Sequence, residues 1–301
     1  MKIGIFGGAA GAGNFDALVA DAKDAAERGF VSYWLSQIVQ QAEAMQLIGA
    51  AAQHVDGLEW GTSVVPTYPR HPMVMAEQAM TTSLLTGGRF TLGIGLSHQI
   101  VVEAMWGHSW AKPVRHAREY LDAMMPLVRG EAVSFSGEEI TARGKLEIPA
   151  ESPSVVFAAL GPQMLKLCGE RCDGTVTWMT GAGTLGSLTV PTISEAAEAA
   201  GRPAPRIVGG FPIWVTDDVD AARAAASEIF AVYGQLPSYR AMLDREGLEG
   251  PADLAVIGDE ATCAGRLDEL AAAGVTEFIG SEFATDPEGR DRTRAFLASR
   301  L

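Results

Sequence analysis

The sequence predicts an α/β protein of the closed (β/α)8 class, the TIM-barrel architecture. Short apolar segments rich in β-branched residues recur along the chain, and segments with helical periodicity separate them. The strand segments are apolar throughout rather than alternating, as expected for parallel strands covered on both faces. The predicted strands are residues 2–7, 31–36, 62–65, 90–95, 154–160, 174–179, 206–215 and 275–280.

The clearest unit is residues 61–98, which predicts a strand, a helix and a second strand. The first strand stops at Pro66, and Pro72 suits the first position of a helix, where its missing N–H costs nothing. A glycine pair at 87–88 ends that helix, and the second strand runs into the turn before His98. Active-site residues of such barrels lie at the C-terminal ends of the strands, so both strand ends are candidate site segments.

Helical periodicity and end signals predict the remaining helices, with Asn14 as the N-cap of the first. Residues 130–153, after the fourth strand region, are too mixed in pattern to assign, and we interpret them as an insertion. Residues 237–257 are also irregular. We expect one domain over residues 1–301. The other predicted helices are residues 15–28, 42–52, 113–128, 163–172, 184–200, 219–232, 259–273 and 290–301.

An open, doubly wound sheet is the alternative fold. It would place a glycine-rich turn after the first strand, and residues 7–11 have that composition. Such a sheet also needs an acidic residue after the second strand to bind a ribose hydroxyl, and Ser36 and Gln37 stand there instead. The barrel is therefore preferred.

Composition excludes several classes of function. Hydrophobic residues make up 48% of 301 residues and charged residues 20%, which supports a large core. The net charge of −14 disfavours nucleic acid and anionic membranes as partners. Five glycines among residues 3–13 argue against a signal peptide. The three cysteines are too few for a disulfide framework, so we expect the cytoplasm.

Several segments together resemble one protein family. The sequence Gly-Thr-Ser-Val-Val-Pro-Thr at 61–67 is followed by Arg-His-Pro at 70–72 and by Gly-Arg-Phe-Thr-Leu-Gly-Ile-Gly at 88–95. Residues 158–162 and 173–178 add two more matching segments in the expected order. The combination resembles the luciferase-like flavin and deazaflavin oxidoreductases, and the branch that uses coenzyme F420 is most similar. FMN, with oxygen as acceptor, is the alternative cofactor. The resemblance also implies a homodimer.

Cofactor contacts are expected at the converging strand ends. The resemblance implies a cis peptide between Ser63 and Val64 beneath the cofactor ring, and a phosphate at Gly161, where a helix N-terminus offers free N–H groups. The turn at Gly181 is a second phosphate candidate. We expect Trp178 or Met179 to line the pocket. The predicted cofactor-binding residues are Ser63, Val64, Val65, Thr67, Gly95, Ser97, Gly161, Pro162, Gln163, Trp178, Met179 and Gly181.

Ionisable residues are scarce at these strand ends, which suits transfer of a hydride between a cofactor and a small organic substrate. The family's glucose-6-phosphate dehydrogenase branch has a histidine after strand two and a glutamate after strand four, where this chain has Gln37 and His98. We therefore predict His98 as the proton donor and Gln37 as an orienting amide. No metal site is predicted, because the histidines lack ligand spacing. A non-catalytic flavin- or deazaflavin-binding protein remains the alternative outside the enzymes.

Overall fold

The computed structural model describes residues 1–7 and 14–301. The predicted glycine-rich turn after the first strand lies outside the described residues from Gly8 onward. The strands are β1 (Lys2–Phe6), β2 (Ser32–Leu35), β3 (Glu59–Thr62), β4 (Val65–Pro66), β5 (Phe90–Gly95), β6 (Val133–Ser136), β7 (Thr141–Gly144), β8 (Ser154–Phe157), β9 (Gly174–Trp178), β10 (Arg206–Val215), β11 (Val256–Gly258) and β12 (Glu277–Glu282).

Helices alternate with these strands and cover the outside of the sheet. Asn14 caps the first helix through its side chain, as predicted. The helices that the structure describes include none long and apolar enough to cross a bilayer. They are α1 (Phe15–Glu27), α2 (Ala44–Ala51), α3 (Pro72–Leu85), α4 (Pro113–Val128), α5 (Pro162–Arg171), α6 (Ala182–Thr184), α7 (Val190–Ala199), α8 (Val219–Ile229), α9 (Pro237–Glu246), α10 (Glu260–Ala272) and α11 (Pro287–Ala298).

Eight parallel strands close into a barrel, which confirms the predicted fold and contradicts the open-sheet alternative. The order around the barrel is β1, β2, β3, β5, β8, β9, β10 and β12. The ring closes because β12 pairs with β1, with Ile3 opposite Phe278, and β9 pairs with β10, with Val176 opposite Val208. The short strands β4 and β11 extend the sheet beside β5 and β10.

Three segments differ from the prediction. Strand β3 spans Glu59–Thr62 rather than residues 62–65, because this is the segment whose backbone pairs in parallel with β2, with Ser32 opposite Glu59 and Leu35 opposite Thr62. The unassigned insertion contains an antiparallel hairpin, β6 and β7, whose strands of four residues are too short for a clear pattern. The irregular segment before β11 contains α9, which buries only Met242 and Leu243 and so shows little apolar periodicity.

Side chains fill the barrel interior in layers, because alternate residues of each strand point inward. Near the N-terminal ends, Arg206 donates to Glu59, to Thr91 at 2.9 Å and to Glu277 at 2.8 Å. Above it lies a buried apolar layer, and Gly61 leaves the space that the Trp34 indole occupies. Against this layer pack the half-buried side chains of Phe6, Val64 and Ala158. The apolar layer consists of Trp34, Val156, Val176, Val208 and Ile279.

A buried carboxylate joins the hairpin to the barrel. Glu119 on α4 accepts hydrogen bonds from the backbone N–H groups of Glu138 (2.9 Å), Glu139 (2.8 Å) and Ile140 (3.1 Å) in the turn between β6 and β7. Burial opposes ionisation, but the three N–H groups outweigh it and lower the pKa of Glu119. A single side chain therefore fixes the turn of the insertion.

Replacing Glu119 with alanine is expected to lower the free energy of unfolding by about 3 kcal/mol, because three backbone donors lose a charged acceptor. The difference in unfolding free energy between wild type and Glu119→Ala should be largest above the ordinary carboxyl pKa. It should disappear as the pH falls through the lowered pKa that Glu119 has in the folded state. Urea unfolding measures it. Glu131→Ala, an exposed carboxylate near the hairpin, should change stability little, and equal losses in the two variants would contradict the anchoring role.

Candidate active site

The C-terminal ends of the barrel strands form a mouth with a floor of small side chains. Gly95 ends β5, and a Cβ atom built on it would lie 2.8 Å from Val64 Cγ2 and 3.2 Å from Ala158 Cβ. The three residues therefore pack against one another with no room for a larger side chain. By strand alternation, Ser36 and Ser281 lie on the same level, two residues beyond Trp34 and Ile279. The floor of the mouth is thus made of small groups.

The peptide bond between Ser63 and Val64 is cis, as the family resemblance implied. Val64 faces the barrel interior, and the Ser63 N–H is bound to the Leu35 carbonyl at 2.8 Å. Val65 instead pairs with β5 and belongs to the buried core outside the barrel. Of these three predicted ring contacts, Val65 is turned away, because successive residues of a strand point to opposite faces.

Thr67 is also turned away from the mouth by its hydrogen bonds. Its hydroxyl lies 3.1 Å from His116 Nε2, and its N–H donates to the Gly95 carbonyl at 2.9 Å. The side chain is fully buried. The two hydrogen bonds hold Thr67 to His116 and to the end of β5, so Thr67 shapes the loop after β4.

Trp178 lines the mouth, whereas Met179 does not. The Trp178 ring packs edge-on against Phe6 with centroids 5.2 Å apart, and Tyr233 lies 6.0 Å away on the other side. Met179 has a left-handed backbone (φ 48°) and is buried in a cluster with Trp214, against which Trp178 also packs. The Trp178 ring is the half-buried one of the two and extends from this cluster to Phe6, whereas Met179 is fully buried.

His98 lies in the turn after β5, beyond Ser97, which also has a left-handed backbone (φ 66°). The imidazole is half-buried, and its ring centroid lies 6.0 Å from that of Tyr239 on α9. Burial lowers the pKa of His98, so the neutral form predominates near pH 7.

Gln37 has a structural role. Its Oε1 accepts the N–H of Ala44 at 2.7 Å and so caps α2.

The two predicted phosphate turns differ in their surroundings. Gly161 is the N-cap of α5, and a Cβ atom built on it would meet nothing within 4 Å among the described atoms. Pro162 and Gln163, the first helical residues, are exposed. At Gly181 the corresponding position is filled, because the Glu246 carboxylate lies against it and accepts the N–H of Thr184. Only the turn at Gly161 leaves its helix N-terminus accessible.

This fold and sequence match a known family model. The model described as luciferase-like monooxygenase matches residues 1–277. The chain belongs to the luciferase-like monooxygenase family. It is therefore an enzyme of that family, and the prediction of a luciferase-like oxidoreductase is confirmed.

Among its relatives, the 5,10-methylenetetrahydromethanopterin reductase of Methanolobus tindarius is 28% identical over 265 residues, covering 87% of this chain and 80% of the reductase. The coenzyme F420-dependent tetrahydromethanopterin reductase of Methanopyrus kandleri superposes with a TM-score of 0.83 at 19% identity, covering 100% of this chain and 99% of that one. The FMN-bound oxygenating constituent of a Pseudomonas putida diketocamphane monooxygenase gives 0.77 at 19% identity, covering 99% and 97%.

A cavity of about 340 Å³ opens beside the floor of this luciferase-like protein. Arg70 and Trp106 line this cavity and are not among the predicted site residues, although Arg70 belongs to the Arg-His-Pro segment that carries the family resemblance. The position of Arg70 in the loop directly after a barrel strand was the available signal. A larger cavity, about 440 Å³, lies near His54 and Val55, before β3, at the opposite end of the barrel. The cavity at the mouth is lined by Gln37, Val39, Gln40, Pro66, Pro69, Arg70 and Trp106.

Glu282 is at the end of β12 but does not face the mouth. Its carboxylate is bound to Arg294, which also contacts Asp21 and Asp24 at 2.9 Å. Alternation places Ser281 inward and Glu282 outward, so of these two residues the serine faces the mouth. Within residues 1–7 and 14–301, no group of three His, Cys, Asp or Glu side chains has the geometry to hold a metal ion.

Proposed function

We propose that this protein is an oxidoreductase that binds coenzyme F420 at the barrel mouth and transfers a hydride between it and a small organic substrate. The observation that carries the proposal is the floor of Val64, Gly95 and Ala158 next to the open helix N-terminus at Gly161. A flat ring needs a surface without protruding side chains, and an anionic tail needs backbone N–H donors. The floor of small side chains and the helix N-terminus lie next to each other, at the ends of the neighbouring strands β5 and β8.

These residues fit a deazaflavin. The ring would rest on Val64, Gly95 and Ala158, and the phosphate would be held by the N–H groups that follow Gly161 and Pro162. When bound, the deazaflavin supplies the two-electron chemistry of hydride transfer. The protein is strongly acidic, with a net charge of −14. Uncapped backbone donors are therefore needed to hold an anionic cofactor against the overall repulsion.

Side chains of the protein orient the reactants and hold or release a proton. His98 holds or releases a proton at an imidazole nitrogen, and the lowered pKa keeps that nitrogen neutral until a reaction partner protonates it. Phe6 and Trp178 form an apolar wall that excludes water from one side of the mouth. Arg70 lines the adjacent cavity, where its guanidinium is held 3.1 Å from Glu43. Arg70 is thus positioned to bind a polar part of the substrate.

A flavin monooxygenase that uses FMN is the second candidate. The family model is described as luciferase-like monooxygenase, and the Pseudomonas putida relative in fold is bound to FMN. The sequence relatives include methylenetetrahydromethanopterin reductases, and the similar structure from Methanopyrus kandleri is a coenzyme F420-dependent tetrahydromethanopterin reductase, which supports F420 for this chain. Both cofactors combine a tricyclic ring with an anionic tail, so the same floor and helix N-terminus serve either of them.

Titration of purified protein with coenzyme F420 and with FMN tests the proposal. We expect saturable binding of F420, followed by fluorescence, with a dissociation constant lower than that for FMN. Tighter binding of FMN would favour the monooxygenase candidate, and binding of neither would contradict the cofactor site.

The homodimer and the cytoplasmic location stay predictions. Sedimentation of the purified protein tests the homodimer.

Replacing Gly161 with leucine is expected to weaken F420 binding about tenfold to a hundredfold, the loss of one charge-assisted hydrogen bond. The new side chain meets nothing in the described structure, so the fold should be unaffected. Gly265→Leu is a matched control, because Gly265 is exposed on α10 and has the same free space. Unchanged F420 affinity in Gly161→Leu would contradict the phosphate site.

A further inference from the structure

The turn after β9 begins a long helical segment whose N-terminus lies at the barrel mouth. Helix α6, the π-helical turn Leu185–Thr189 and α7 follow one another without leaving the right-handed helical region. The first backbone N–H groups of such a segment have no partners within the helix. They therefore form a place where a negatively charged group is stabilised.

A carboxylate of the same chain occupies this place. Glu246, the last residue of α9, accepts the N–H of Thr184. Its oxygen also lies 3.0 Å from the position that a Cβ atom on Gly183 would take, and its carboxyl group would collide with a Cβ atom on Gly181. Both glycines are thus needed for the close approach of an anionic group. We call Gly181, Gly183 and Thr184 the anion seat.

Two buried hydroxyls provide a second, independent observation. Thr180 and Thr184 are 0% and 1% exposed, and their Oγ1 atoms hydrogen-bond to no described atom. A buried hydroxyl without a partner is uncommon, because it loses its bonds to water. The turn therefore contains two buried hydroxyls that the Glu246 carboxylate does not bond.

Helix α9 spans the barrel mouth, and Glu246 lies at its C-terminal end. Near its start, Tyr239 lies 6.0 Å from His98 in the turn after β5, and at its end Glu246 reaches the turn after β9. Between them, Leu243 is buried against the cluster that contains Met179. The helix thus spans the opening between two strand ends, and the Glu246 bond secures its far end.

We propose that Glu246 is a specificity-determining residue that fills the anion seat and excludes anionic ligand groups from this corner of the active site. The inference rests on the proposed function for the placement of the active site at the mouth. The substrate that enters beneath α9 is then uncharged or cationic at this end. A phosphate or carboxylate there would meet the Glu246 carboxylate and the overall negative charge of the protein.

Binding of inorganic phosphate tests this without any cofactor or turnover. The comparison is made in the Gly161→Leu background, so that the proposed phosphate site at Gly161 does not contribute, and in that background protein with the native Glu246 should show no saturable phosphate binding. Glu246→Ala should bind phosphate at least tenfold more tightly than protein with the native Glu246, measured by calorimetry and by the rise in Tm with phosphate concentration. Glu249→Ala removes the same charge from an exposed position three residues later and should leave phosphate binding unchanged.

If Glu246→Ala is unstable, Glu246→Gln keeps an acceptor for the Thr184 N–H and removes the charge, and it should also gain phosphate binding. Equal phosphate affinity with the native Glu246 and in both Glu246 variants would overturn the proposal, as would an equal gain in Glu249→Ala. Failure of the F420 titration leaves this result intact, because phosphate binding is measured on the protein alone. The two proposals therefore fail separately.

Discussion

Replacing His98 with alanine is expected to lower turnover by about a hundredfold to ten-thousandfold, the usual contribution of a general acid or base, while cofactor affinity survives. His98 is the half-buried imidazole in the turn after β5, and it stands beside the floor on which the cofactor ring is proposed to rest. The measurement is kcat for any small-molecule substrate that the wild type turns over, together with the F420 dissociation constant.

The pH dependence adds an independent check on the same residue. Burial lowers the pKa of His98 below its ordinary value of about 6.5. In the direction in which His98 donates a proton, turnover should therefore fall as the pH rises, with a midpoint below 6.5. This limb of the profile should be absent in His98→Ala. A midpoint above 6.5, or an unchanged profile in the variant, would assign proton transfer to another group.

Gln37→Ala is the comparison variant. Its amide oxygen caps α2 through the Ala44 N–H, so the change should cost roughly 1 to 2 kcal/mol in the local loop and lower turnover less than His98→Ala does. An amide cannot exchange a proton as an imidazole can. If Gln37→Ala abolished turnover while His98→Ala left it intact, the assignment of His98 would be wrong.

Replacing Arg206 with methionine is expected to lower the free energy of unfolding by about 3 kcal/mol, the lower end of the cost of removing one partner of a buried ion pair, because the Arg206 side chain is 26% exposed. Arg206 binds Glu277 at 2.8 Å and Glu59 at 2.9 Å inside the barrel, and Glu277 is 1% exposed. Without the guanidinium, two carboxylates remain close together in the interior. Urea unfolding followed by circular dichroism gives the value.

Arg266→Met is the matched control for this experiment. Arg266 pairs with Glu269 on the exposed face of α10, and such surface pairs contribute at most about 1 kcal/mol. A double variant, Arg206→Met with Glu277→Gln, should recover part of the loss, because one unpaired charge is removed. Similar stability in Arg206→Met and Arg266→Met would show that the interior network contributes little.

Local patterns were sufficient to predict the barrel. The strand from Phe90 to Gly95 and the helix from Pro113 to Val128 have the predicted bounds, because continuous apolar runs and proline at the first helical position are signals carried by neighbouring residues. The elements that were not predicted have weak local signals. Strands β6 and β7 have four residues each, and α9 buries two side chains.

The candidate site was predicted as a set of strand ends, because in a barrel all C-terminal ends meet at one mouth. Which side chains face that mouth was less predictable. The break in β3 after Thr62 changes which residue points inward, so Val64 faces the mouth while Val65 belongs to the outer core. Trp178 and Met179 pack in the same cluster, and Trp178 also reaches Phe6 at the mouth.

The sequence by itself determined the barrel, the resemblance to the family and the loop that contains His98, because these depend on residues close together in the chain. Only the tertiary structure decided how distant residues meet. Glu246 fills the turn at Gly181, 65 positions away in sequence, and Arg206 pairs with Glu59 and Glu277 from other strands. No local pattern encodes such contacts, because closure of the barrel creates them.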